Sequence, residues 1–240
     1  MDIPAELSGL ALLDLPAALK AHGYDMVQIG HFHSPTRDPA YLAQLRDALV
    51  ASGITLDALL IDDGDLTDAP NADRIEAWIG EWLDVAVALG ATRARLMVGR
   101  AAPTPERVED CAARLQRLAE AHPGVRIVIE NWMGMFPDAA AVLTMLERTG
   151  DAVGLLIDLG NWRGADKYDQ LAQIAPLAET CHAKCHTTGT ELDAVDYRKS
   201  LQVLKDANYS GPLALIYDGH DDDEWTMLDA EYDIVQSVFA

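Results

Sequence analysis

Four apolar, strand-like runs carry groups that can do chemistry. RIVIE ends in Glu130, GLLID ends in Asp158, TCHAK carries His182 and PLALIYD carries Asp218. A carboxylate that closes a buried apolar run needs a cation or hydrogen bonds to offset its desolvation. The stretch CHAKCHTTGT (181–190) adds two Cys-His pairs. On a strand, His182, Lys184 and His186 share one face, and Cys181 and Cys185 the other. His182 and His186 then lie about 13 Å apart at roughly 3.3 Å per residue, beyond the reach of one ion. No second Cys pair exists to complete a zinc knuckle. The stretch is therefore not a metal module of its own. His182 reads as one ligand among several whose partners sit on other strands, the plainer alternative being a hydrogen-bonded core histidine.

Those groups need a scaffold that brings strand ends together. Short apolar runs alternate with longer stretches of helical period. MVQIG (26–30), TLDALLID (55–62), ARLMVG (94–99), RIVIE (126–130), GLLID (154–158), TCHAK (180–184) and PLALIYD (212–218) each precede one. Runs of Ile, Leu and Val without strict polar alternation indicate strands covered on both faces, as in parallel sheets. Thr104 followed by Pro105 predicts a capped helix start. An eighth strand is expected before LPAALKAHG (15–23), where SGLALL (8–13) is a poor candidate. The predicted fold is a (β/α)₈ TIM barrel with an irregular or missing first strand, the alternative being a doubly wound sheet. No linker or low-complexity segment divides residues 1–240, which read as one domain. In such a barrel the active site lies at the C-terminal ends of the strands, where these groups fall.

The charge excludes one class of partner. Eighteen basic residues against 39 acidic ones give a net charge of −21, whereas nucleic-acid binding needs a basic face. Half the chain is apolar, but no run reaches the roughly 18 residues of a membrane span. The start MDIPAELSGL carries acids where a secretory signal carries Lys or Arg, so a cytoplasmic location is expected. Cys111, Cys181 and Cys185 are too sparse for a disulfide framework. A homo-oligomer is compatible with the sequence.

Several residues near the strand ends are candidates for substrate contact. GHFH (30–33) puts His31 and His33 on one face if the strand stays extended. Trp132 and Trp162 follow two of the acidic strand ends and suit pocket walls, beside Asn131 and Asn161. Arg100 and Arg163 are placed to bind an anionic group, and TTGT (187–190) to cradle a phosphate with backbone N–H groups. His186 ends the inward face of its strand. IDDGDLTDAP (61–70) has a misplaced glycine and no acid at the twelfth position, so loop and cap roles replace a calcium loop.

Taken in order, GYDMVQIG (23–30), ALGATRARLMVG (88–99), IVIEN (127–131), VGLLIDLGNW (153–162), HAK (182–184) and YSGPLALIYDG (209–219) resemble the sugar phosphate isomerase/epimerase superfamily, the xylose isomerase-like barrels. The resemblance implies a divalent metal held by a Glu, an Asp, a His and a second Glu from four strand ends. The first three fall on Glu130, Asp158 and His182. The fourth falls on Ile216, which can neither bind metal nor move a proton. Asp218 lies two residues on, about 6.6 Å further along the same strand face. Trp132 and Asn161 stand where many relatives have imidazoles, and Gln28 where a Glu is common.

The expected function is an isomerase or epimerase, or alternatively a dehydratase, of a small sugar, sugar phosphate or related polyol carbonyl compound. A divalent ion (Mn, Mg, Co or Zn) polarises the carbonyl, and a carboxylate moves the adjacent proton through an enediolate. Glu130 is the expected base and ligand, Asp158 and His182 are ligands, Asp218 is the stand-in carboxylate, and Lys184 stabilises developing oxygen charge. The contrasting expectation is a barrel that binds a sugar-like ligand without a complete metal site, the feature favouring it being Ile216.

Overall fold

Uninterrupted Ile, Leu and Val runs form strands here because both faces are covered. In the computed structural model, residues 10–189, 191–217, 219 and 224–240 are described. Seven strands, β1 (Met26–Gly30), β2 (Thr55–Ile61), β3 (Arg93–Leu96), β4 (Arg126–Glu130), β5 (Gly154–Asp158), β6 (Ala178–Cys185) and β9 (Leu213–Tyr217), make one parallel sheet in that order. Between β6 and β9, β7 (Thr187–Thr188) and β8 (Glu191–Leu192) form a small antiparallel hairpin. The intervening helices are α1 (Leu15–Ala21), α2 (Pro39–Ser52), α3 (Ala72–Leu89), α4 (Pro105–Ala121), α5 (Ala139–Thr149), α6 (Lys167–Ile174), α7 (Ala194–Asp206) and α8 (Glu224–Phe239). None of the described helices is long and apolar enough to cross a membrane.

The sheet curls into a nearly closed barrel in which β1 and β9 approach without pairing. The seam has a physical signature. Every residue of β5 is buried, whereas all of β9 and the first three residues of β1 are only half-buried. Of the expected eighth strand, residues 10–13 are not a strand, and Leu12–Asp14 form a turn into α1; residues 8 and 9 lie outside the described residues.

Local chemistry sets the helix boundaries. Asp38 caps α2 by accepting from the N–H groups of Ala40 (2.8 Å) and Tyr41 (3.3 Å), with Pro39 at the first helical position. Thr104 caps α4 as predicted, accepting from Arg107 N at 3.3 Å. Gly53 and Gly90 end α2 and α3 with φ of 64° and 74°, a conformation that glycine reaches without a Cβ penalty.

The inside of the barrel is polar in its lower layer. Asp57 on β2 accepts from Arg93 on β3, from Gln28 on β1 (2.7 Å) and from Thr180 on β6 (2.7 Å). Arg126 on β4 pairs with Glu179 on β6 at 2.7 Å. The buried charge of Asp57 persists only because it is paired, and together with the partly exposed Arg126–Glu179 pair these contacts tie strands across the barrel.

Above this layer the loops at the C-terminal ends of the strands are bonded to one another. Leu66 N donates to Val98 O (2.8 Å), and Met135 N donates to Gly99 O (3.2 Å). β3 stops at Leu96, short of the expected Gly99, because Val98 turns to a φ of 66° in making that loop contact. At Gly134 the loop after β4 passes so close to the Arg100 carbonyl that a Cβ would strike the backbone. Gly134→Ala is therefore expected to cost about 1–3 kcal/mol, read as a lowered urea midpoint at unchanged slope.

Candidate metal centre

Strand register delivers the three central groups to one place. Asp158, the last residue of β5, lies directly beside His182 on β6, and Glu130 is the last residue of β4. All three are buried, and one ligand atom from each lies within 4.8 Å of the others. Asp158 Oδ1 accepts from the backbone N–H groups of Gly160 (2.6 Å) and Asn161 (2.7 Å), a turn that leaves Oδ2 facing His182 Nδ1 at 3.4 Å. Asn131 holds the end of β5 from behind, donating to Asp158 O and accepting from Asp158 N.

Glu130 is enclosed on every side. Its Oε1 accepts from Asn161 Nδ2 (2.8 Å) and lies 3.3 Å from His182 Nδ1. Its Oε2 lies 2.9 Å from Arg95 Nε, an ion pair too far off axis to be a hydrogen bond, so the buried oxygen has no hydrogen-bond partner. Arg95, itself buried, reaches Asp62 at 2.5 Å with its other end, and its guanidinium lies over the Trp132 ring at 5.1 Å.

These contacts set the protonation states. Burial raises the Glu130 pKa, but the charges of Arg95 and His182 outweigh it and hold the carboxyl well below the usual range. Burial lowers the His182 pKa, yet Glu130 and Asp158 together push it up to about 9. The Glu130 carboxylate and the His182 imidazolium thus favour each other's charged forms.

The donor set fits a divalent ion. Two carboxylates and an imidazole within 4.8 Å of one another match ligand distances of about 2.0–2.2 Å to a shared centre, and Glu130 Oε2 is a buried acceptor in need of a partner. Oxygen-rich ligands with one imidazole accommodate Mg, Mn, Co or Zn.

Beside this cluster is a cavity of about 530 Å³ whose wall includes Asn131, Trp132, Asn161, Trp162 and Arg163, five residues expected to contact substrate. Asn161 joins cavity and cluster, lining one and bonding Glu130 in the other. Trp162 is anchored by its indole N–H to Phe136 O (3.0 Å). His186 contacts Gly160 O through Nε2 (2.8 Å), and its Nδ1 lies 3.2 Å from an Arg163 nitrogen. Lys184 runs against Gly160, where a Cβ would meet its Cγ at 2.9 Å, and pairs in register with Ile216. Asp218 lies outside the described residues; β9 ends at Tyr217, one position before it. Of the expected phosphate loop, Thr187 and Thr188 form β7, and Thr190 is outside the described residues.

His31 and His33 do not share an extended face. The strand ends at Gly30, and residues 31–33 form a 3₁₀ turn. His31 is buried edge-on against Trp78 and Trp82, its Nδ1 accepting from Asp62 N. His33 Nδ1 accepts from Gly30 N. Arg100 is exposed, 3.7 Å from Asp63. Arg95 escaped the sequence reading altogether. The signal was present in RAR (93–95), where two arginines two apart on a strand must share a face. Lys167, buried in the cavity wall and paired with Asp196, carries no such signal.

The pattern of the family described as "Xylose isomerase-like TIM barrel" matches residues 16–235. No match was found among curated proteins. Among solved structures, L-ribulose 3-epimerase superposes with a TM-score of 0.76 at 18% identity, over 95% of this chain and 88% of that one. A xylose isomerase domain protein from Planctomyces limnophilus gives 0.75 at 16% identity, over 93% and 92%. A xylose isomerase-like TIM barrel protein from Mycobacterium smegmatis, solved with magnesium, gives 0.70 at 17% identity, over 100% and 91%. At such identities the likeness speaks for the fold, and the family pattern for descent: the chain belongs to the xylose isomerase-like TIM-barrel family.

Proposed function

We propose that the protein is a metal-dependent isomerase or epimerase of a small polyhydroxylated carbonyl compound. The observation that carries this reading is the convergence of Glu130, Asp158 and His182 from three successive strand ends on one small space. A structural neighbour named as a sugar 3-epimerase and another solved with magnesium support it. A divalent ion there supplies Lewis acidity toward a substrate carbonyl. Glu130, Asp158 and His182 bind it. Trp132 and Trp162 wall the adjoining cavity, Asn131 and Asn161 fix the acids, and Arg163 and His186 close its rim. Lys184 and Arg95 offset oxygen charge as the enediolate develops.

The Arg95 contact bears on who moves the proton. A carboxylate held far below its usual pKa is a poor base, so Glu130 serves better as an anchor than in the base role expected for it. Proton transfer then falls to Asp218. The rival reading, a barrel that binds a sugar-like ligand without metal, draws support from the charge balance: with His182 protonated, Arg95 and His182 already offset both acids.

Titration calorimetry with manganese separates the two readings. One equivalent is expected to bind, and Glu130→Ala and Asp158→Ala are each expected to abolish binding; a wild-type protein that takes up no ion favours the rival. Asp218→Asn is expected to keep the ion and lose incorporation of solvent deuterium into ketose substrates followed by NMR. Full exchange in that variant would return the base role to another residue.

The raised pKa of His182 sets a pH window. Without an ion, the stability contributed by its ion pairs is complete below the unfolded value of about 6.5 and lost as pH rises through about 9. Ion binding runs the other way, because the ring must give up a proton. Manganese affinity is expected to rise by up to about tenfold per pH unit toward 9, with close to one proton released in calorimetry across buffers of different ionisation enthalpy.

A further inference from the structure

The ring nitrogen of His182 that faces away from the acids leads into a chain of hydrogen bonds. Nε2 lies 2.6 Å from Gln28 Oε1 on β1. The other end of the same amide, Gln28 Nε2, donates to Asp57 Oδ2 at 2.7 Å and approaches Thr180 Oγ1 at 3.2 Å. Asp57 is buried and also accepts from Arg93 and from the Thr180 hydroxyl.

Each link dictates the next. A carboxylate paired with a guanidinium only accepts, so the group of Gln28 that meets Asp57 must be its NH₂. Turning the amide over would set two acceptors 2.7 Å apart in the barrel interior with no hydrogen between them. The carbonyl of Gln28 must then face His182, and a carbonyl only accepts, so His182 Nε2 must carry a hydrogen. The nitrogen left to bind a cation is Nδ1, which already lies 3.3 Å from Glu130 and 3.4 Å from Asp158.

We propose that Gln28, held in one amide orientation by Asp57, is a positioning residue that keeps a proton on His182 Nε2 and presents Nδ1 to the metal. The proposal rests on the reading of Glu130, Asp158 and His182 as cation ligands. It gives the polar lower layer of the barrel a task beyond filling space: the Arg93–Asp57 pair, two residues removed from the site, sets which face of an imidazole is free. Partners of this kind behind a ligating histidine are worth about 10- to 100-fold in metal affinity.

The test uses the full chain labelled with ¹⁵N-histidine, and zinc as the probe ion. In the zinc-loaded wild type, two-bond ¹H–¹⁵N spectra are expected to show His182 with a hydrogen on Nε2 and none on Nδ1. Gln28→Met, similar in length but unable to accept, is expected to weaken zinc about 10- to 100-fold and to abolish the slowly exchanging Nε2–H signal while the amide spectrum stays folded. Gln28→Glu combined with Asp57→Asn keeps an acceptor toward His182 and sets a donor amide against the new carboxylate, and is expected to restore both readouts toward wild type. A residue that merely filled the interior would leave the ring signal unmoved. Zinc on Nε2 in the wild type would overturn the proposal, and so would wild-type affinity together with an unchanged ring signal in Gln28→Met. Should the wild type bind no ion, the metal reading fails, and the ion-free spectra still decide the relay: loss of the Nε2–H signal in Gln28→Met supports it, persistence refutes it.

Discussion

Two carboxylates buried against the same imidazole repel each other and have given up their water, so the structure around Glu130 and Asp158 has to supply positive charge. It does so in layers. Backbone N–H groups of Gly160 and Asn161 take one oxygen of Asp158, and the Asn161 amide takes one oxygen of Glu130. His182 sits between the acids, and Arg95 closes on the remaining oxygen of Glu130. That last contact is electrostatic without being a good hydrogen bond, and it leaves Glu130 Oε2 the least satisfied atom of the cluster.

The same need for compensation explains the barrel interior. Parallel barrels are ordinarily filled by stacked apolar side chains. Here Gln28, Asp57, Arg93 and Thr180 form a closed polar network beneath the site, with Arg126 and Glu179 beside it. Such a network stabilises less than apolar packing of the same volume, but it has few alternative arrangements, because losing any one partner strands a buried charge. Its rigidity passes upward through Gln28 to His182. The strand seam between β1 and β9 lies at the edge of this network, and Gln28, on β1, is anchored across the barrel to Thr180 on β6 as well as to its neighbour β2.

Much of the fold could be read from the chain because its strands are short Ile, Leu and Val runs covered on both faces, and all seven lie where those runs predict. The end of β3 was not legible: valine favours strands, and only the loop contact of Val98 with Leu66 reveals why the chain turns there. The three central ligand candidates were legible because Glu130 and Asp158 each close an apolar run and His182 lies within another. Arg95 was not, since a lone arginine reads as solvent-exposed until the alternation with Arg93 is noticed. His31 and His33 would share a face only if the chain stayed extended past Gly30, and the 3₁₀ turn at 31–33 removes that condition. The Gln28–Asp57 link joins residues 29 positions apart and has no local signature.

Charge also constrains what the site can accept once an ion is in place. With His182 neutral on binding, the two acids would balance a divalent ion, and Arg95, 2.9 Å from Glu130 and stacked on Trp132, a wall of the neighbouring cavity, is offset by Asp62 at 2.5 Å. The position of β9 that pairs with Lys184 is Ile216, which brings no further acid to the site. A neutral sugar enters such a site without changing its charge, whereas an enediolate brings negative charge to its oxygens. Under the proposed reading, the isoleucine in place of an acid therefore shifts the electrostatic preference of the site away from the resting substrate and toward the species formed after the proton has left.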